Sequence, residues 1–147
     1  MGKIEALVYA YRKAIELALR NRRFDFRDRF SSFPIGCCDD ACDLLGQYLL
    51  ENDINSMQYQ GTFRDGIPSH TTSHAWLQLE GDLIIDITGD QFKYEQLFQF
   101  EESVYIGRAN KFYDLFEIDR IIHNCNIETN PRLTNLYKII KRKRDFL

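Results

Sequence analysis

The chain has 147 residues, 44% of them hydrophobic and 14% aromatic, enough to bury a core without disulfide staples. A net charge of −3 at pH 7 argues against a dedicated nucleic-acid binder, which carries a basic excess. No apolar run approaches the roughly 20 residues of a membrane span.

In chain order, Ile4, Leu7, Val8, Tyr11, Ile15, Ala18 and Leu19 recur at helical spacing and predict an amphipathic helix over 3–21. Its start has an early acid, Glu5, and no unbroken apolar core, unlike a secretory signal. A cytoplasmic chain is therefore expected, with its four cysteines reduced. A charged, aromatic link follows, from Asn21 to Phe33. Arg20, Arg22, Arg23, Arg27 and Arg29 crowd this region and are expected to form a solvated surface. The same is expected of Lys138, Lys141, Arg142, Lys143 and Arg144, which suit the end of a last helix.

Pro34 and Gly36 punctuate the start of a second, central helix. Ala41, Leu44, Leu45, Tyr48 and Leu49 set its period, and it should end near Asn52-Asp53. Met57, Tyr59, Gly61 and Phe63 then alternate with Gln58, Gln60 and Thr62, the pattern of a half-buried strand. Asp65-Gly66-Ile67-Pro68 reads as a turn. Ser73 to Glu80 and Leu83 to Thr88 read as a β-hairpin joined through Glu80-Gly81-Asp82. Tyr94 to Phe100 is ambiguous, and Val104 to Ile106 suits a short strand. Asn130-Pro131 reads as an N-cap and first helical residue, opening a last helix on Leu133, Leu136, Tyr137 and Ile140. Helices first, then an antiparallel sheet, then helix make an α+β fold, expected to be one domain over 1–147.

The chemistry-bearing residues gather in the middle of this order. A thiol attacks a carbonyl carbon as thiolate, and a helix N-terminus with a nearby imidazole helps it ionise. Cys37 and Cys38 stand where the central helix should begin. His74 lies on one hairpin strand and Asp86 on the other. Side chains alternate faces along a strand. A turn centred on Gly81 would set Trp76 opposite Asp86, with His74 diagonal to Asp86 on the same face. A two-residue turn at Gly81-Asp82 would put them on opposite faces. The pairing therefore requires an odd-numbered loop or a bulge.

These residues resemble the papain-like and transglutaminase-like cysteine hydrolases over about 33–92. Gly36-Cys37-Cys38-Asp39-Asp40-Ala41-Cys42 is similar to the transglutaminase-like pattern of Gly, any, Cys, any, Asp, any, small residue. His74-Ala75-Trp76 is similar to its His-x-Trp strand, and Asp86-Ile87-Thr88 to its Asp-Pro-Thr, with isoleucine in place of proline. The resemblance implies a papain-like core, in which a helix with a cysteine at its N-terminus packs on an antiparallel sheet. It also implies a catalytic triad of Cys38, His74 and Asp86 acting on an amide or related acyl bond of a peptide, protein or other substrate. No cofactor and no metal are expected. The spacing favours Cys38 as nucleophile, with Cys37 the alternative and Cys42 one helical turn below.

Papain-like enzymes carry an oxyanion-donating glutamine shortly before the nucleophile. Here Ser31, Ser32 and Phe33 occupy that region, so the Cys38 amide, Gln58, Gln60 or Gln91 must serve. His70 lacks the strand context and His123 lies far from the motifs. Two other readings compete: a non-catalytic binding module on the same fold, and a zinc-stabilised domain using Cys37, Cys38, Cys42, Cys125 and His74. Adjacent cysteines suit zinc poorly.

Overall fold

A computed structural model of the chain describes residues 2–64, 71–98, 100–123 and 126–147, without the side chain of Thr71. The turn expected at Asp65-Gly66-Ile67-Pro68, as well as His70 and Cys125, lies outside these residues.

Helix α1 (Lys3–Arg20) buries the stripe Val8, Tyr11, Ile15 and Ala18, as its period predicts. Helix α2 (Cys38–Glu51) buries Ala41, Leu44, Leu45, Tyr48 and Leu49. Strands β1 (Met57–Arg64), β2 (Thr71–Leu79) and β3 (Leu83–Asp86) follow. A short strand β4 (Tyr105–Gly107), a one-turn helix α3 (Lys111–Asp114) and strand β5 (Glu117–Ile122) come next. Helix α4 (Pro131–Asp145) closes the order, and the Asn130 side chain accepts from the Leu133 N–H at 3.1 Å. The ambiguous stretch around Tyr94 is neither helix nor strand among the described residues. The fold is thus α+β, and its strands form one antiparallel sheet in the order β4-β3-β2-β1-β5.

Strand β5 and helix α3 carry no marked sequence pattern. All but the last residue of β5 are exposed, so it lacks the polar–apolar alternation that betrays a half-buried strand. It exists because β1 offers it a ladder, with a register shift between Gln60 and Gly61. A Cβ on Gly61 would lie 3.0 Å from the Glu117 carbonyl oxygen and 2.9 Å from the Phe116 Cβ. Glycine permits that close approach of chains.

The sheet separates two unlike layers. On one face Ala75, Leu77, Leu79, Ile85 and Ile87 pack against the buried stripes of α1, α2 and α4. On the other, Trp76 and Ile84 pack with Phe92, Phe98, Phe100, Phe112, Tyr113 and Phe116. Burial of each large side chain contributes about 1.5–3 kcal/mol, so both layers hold the sheet. Gly89 lies so close to Phe100 that a Cβ there would meet the ring at 2.2 Å.

Candidate active site

The β2–β3 hairpin decides the geometry. Leu79 pairs with Leu83, Gln78 with Ile84 and Leu77 with Ile85, so the loop is Glu80-Gly81-Asp82, centred on Gly81. Gly81 and Asp82 both take positive φ, 82° and 62°, a conformation that glycine adopts freely and aspartate tolerates. One step further along this register Trp76 stands opposite Asp86, and His74 lies diagonal to Asp86 on the same face. The odd-loop condition is met, and His74 Nε2 lies 2.7 Å from Asp86 Oδ2. Both side chains are buried.

Strand β3 ends at Asp86 rather than Thr88, because that carboxylate takes over the next backbone donor. Asp86 Oδ1 accepts from the Thr88 N–H at 3.0 Å and from the Thr88 hydroxyl at 3.4 Å. A 3₁₀ turn over Gly89–Phe92 follows. Arg12 of α1 fastens this turn from below. Its guanidinium donates to the Ile87 carbonyl at 2.5 Å and, in bidentate fashion, to Asp90 at 3.0 and 2.8 Å. It also lies 4.7 Å from the Phe33 ring centre.

The imidazole of His74 is walled by aromatic rings. Phe92 is 5.1 Å away between ring centres, Trp76 and Phe112 are both 5.7 Å away, and Phe116 is 5.8 Å away. Burial opposes a charged imidazole. The Asp86 charge, its hydrogen bond and the neighbouring Cys38 sulfur outweigh burial and raise the His74 pKa to about 9. Burial likewise opposes the Asp86 carboxylate, but His74, the Thr88 N–H and Tyr113 together hold its pKa below the usual range. An ionised carboxylate only accepts hydrogen bonds. Nε2 therefore carries the proton shared with Asp86, and Nδ1 is the ring nitrogen that Asp86 does not take.

The two adjacent cysteines have different surroundings. Cys37 caps α2 and is fully buried, with its thiol 3.3 Å from the carbonyls of both Arg29 and Ile35. Burial first, then the charge of Asp40, pushes its pKa up to about 12. Cys38 is the first residue of α2, half-buried, and its sulfur interacts with His74. Cys42 is buried one turn below, and burial raises its pKa well above that of a free thiol.

Asp40, the acid two positions after Cys38, is buried. It accepts from Arg29 at 2.9 and 3.0 Å and from Arg132 at 3.2 and 2.7 Å. Arg132 also grips Asp28 at 2.7 and 2.8 Å. Arg29 stays exposed, as expected of a solvated patch, and also pairs with buried Asp40. It helps tie the start of α2 to the link before it and to α4. Arg27, by contrast, pairs with Asp25 in the open. Lys141 bridges to Glu51 and Arg144 donates to the Tyr48 hydroxyl, so part of the C-terminal charge staples α4 to α2.

The glutamines sort by distance. Gln60 is half-buried, 3.4 Å from Asp39 Oδ1, and Gln58 is buried. Gln91 approaches the imidazole. Its amide donates to the Thr88 carbonyl at 3.0 Å and sits 3.4 Å from His74 Nδ1. His123 lies on the far side, near Gly46, Asn55 and Glu128. Among the described residues no group of three His, Cys, Asp or Glu side chains could hold a metal ion. No helix among them is long and apolar enough to cross a membrane.

One member of the site has no precedent in the sequence reading. Tyr113, from α3, donates its hydroxyl to Asp86 Oδ2 at 2.9 Å. The available signal was indirect: a buried strand carboxylate needs several donors, and Asn110 is a helix-capping residue just before an aromatic pair.

Compared with family models, curated proteins and solved structures, the chain matches none.

Proposed function

We propose that this protein is a papain-like or transglutaminase-like thiol enzyme, a hydrolase or acyltransferase of an amide or related acyl bond. Cys38 would be the nucleophile, His74 the general base and then acid, and Asp86 the residue that orients the imidazole. The observation that carries the reading is the buried His74 ring, held at 2.7 Å by Asp86 through Nε2 and neighboured by Cys38 at the start of α2. The helix that begins at Cys38 and packs on β2 supports the papain-like comparison.

In this reading the Cys38 proton already rests on His74 Nδ1, in keeping with the raised imidazole pKa, when sulfur attacks the acyl carbon. The carbonyl π electrons move to oxygen, near the first N–H groups of α2. When the tetrahedral adduct collapses, the C–N or C–O bond breaks and the leaving group takes the proton from His74. A thioester on Cys38 remains. Water or an amine, deprotonated by His74, then releases the acyl group and restores the thiol.

The test is alkylation by iodoacetamide at pH 7, followed by mapping of the adducts. Cys38 should react faster than free cysteine, and His74→Gln should slow it about tenfold or more. A Cys38 rate at or below that of free cysteine, unchanged in His74→Gln, rejects the enzyme reading. It would favour a non-catalytic binding module, a reading supported by the complete enclosure of the imidazole and by the Gln91 amide at Nδ1.

A further inference from the structure

We propose that Tyr113 is a positioning residue of this site: its hydroxyl shares Asp86 Oδ2 with His74 Nε2, fixes the carboxylate's rotation and limits how much of its negative charge the imidazole feels. The inference rests on the catalytic reading of His74.

A carboxylate has about four lone-pair directions. The Thr88 N–H and hydroxyl address Oδ1, while His74 Nε2 and the Tyr113 hydroxyl address Oδ2. Thr88 alone, two residues along, constrains the carboxylate from one side only. Tyr113 reaches it from 27 residues away and closes the other. The phenol is itself well held. Asn110 Oδ1 accepts from the Phe112 N–H at 2.9 Å and sets α3. The Tyr113 ring then packs 5.1 Å from Trp76 and 5.4 Å from Tyr105. Burial first, then the charge of Asp86, raises the phenol pKa, so it remains a donor throughout the working range.

The consequence for the chemistry concerns balance. An imidazole that accepts a proton from sulfur must later give it to a leaving group, and too strong a base is a poor acid. Two donors on one oxygen compete, so the phenol tempers the pull of Asp86 on the imidazolium. The other titratable groups around the cluster are Cys38, Asp39 and Cys42 on α2, with Tyr105 and Glu102 beside the phenol.

The experiment is a ¹⁵N NMR titration of His74 in the whole chain. Tyr113→Phe removes the competing donor while leaving the ring. The His74 midpoint should rise by about half a pH unit, a roughly threefold gain in proton affinity. Replacing Tyr113 by 3-fluorotyrosine, a stronger donor of nearly the same shape, should move the midpoint the other way. Lost packing cannot produce shifts of opposite sign, and the fluorinated form covers the case in which Tyr113→Phe fails to fold. A wild-type midpoint with the fluorinated side chain overturns the role of Tyr113, whatever Cys38 does. A shifted midpoint with Cys38 alkylation indifferent to His74→Gln upholds the sharing of Asp86 and overturns the catalytic reading instead.

Discussion

Asp86→Ala is expected to destabilise the fold by about 3–5 kcal/mol, because it removes one partner of a buried ion pair and leaves the other uncompensated. His74 would keep its buried place among the aromatic rings with no carboxylate to charge it. The Tyr113 hydroxyl and the Thr88 N–H would lose their acceptor as well, and each buried orphan carries its own penalty. Urea unfolding measures the loss. A change below about 1 kcal/mol would show that the pair contributes little to the fold. The sign of the pH dependence follows from the two shifts. His74 has a raised pKa, so its contribution is complete below its ordinary value of 6.5 and fades as pH rises through about 9. Asp86 has a lowered pKa, so its contribution is present above the ordinary carboxylate value and is lost as pH falls through its folded value.

Asp40→Asn is the second large effect, expected at about 2–3 kcal/mol. The figure is below that for Asp86 because Arg29 is 64% exposed and Arg132 34% exposed, so solvent screens both partners, while the Asp40 side chain is 4% exposed. Burial opposes the Asp40 carboxylate, and the two guanidiniums outweigh it and hold its pKa low. The stabilisation is therefore present at neutral pH and disappears as pH falls below the usual carboxylate range. Wild type and Asp40→Asn should converge in stability in acid; a gap that stays constant would contradict this assignment. The variant should also loosen the start of α2, so Cys38 alkylation should lose some of its dependence on His74.

Much of this arrangement could be read from the chain. The helical periods of α1, α2 and α4 are strong because each buries one stripe against a continuous core. The hairpin was legible because strand alternation and Gly81 fix its register, and that register predicts which side chains share a face. The end of β3 was harder to see. Asp86-Ile87-Thr88 continues the strand pattern, yet the Asp86 carboxylate captures the Thr88 N–H and diverts the backbone. Strand β5 left no trace because it is exposed and owes its form to the open edge of β1. The aromatic layer was hidden for a related reason. Phe92, Phe98, Phe100, Phe112 and Phe116 are scattered over short turns with no period, and only the folded sheet collects them into one layer, three of them against His74. Arg29 shows the limit of charge patterning: neighbouring arginines look alike in sequence and stay exposed, and only the fold brings this one within reach of buried Asp40.

The enclosure of His74 also gives the protein a built-in optical gauge. Trp76 is the only tryptophan in the chain, it is shielded from water, and its ring centre lies 5.7 Å from that of the imidazole. An imidazolium quenches indole emission at such range, whereas neutral imidazole does so weakly. Fluorescence excited at the indole band should therefore brighten as pH passes about 9, and His74→Gln should abolish that step. The protonation state of one buried side chain could then be followed in a cuvette, without a substrate.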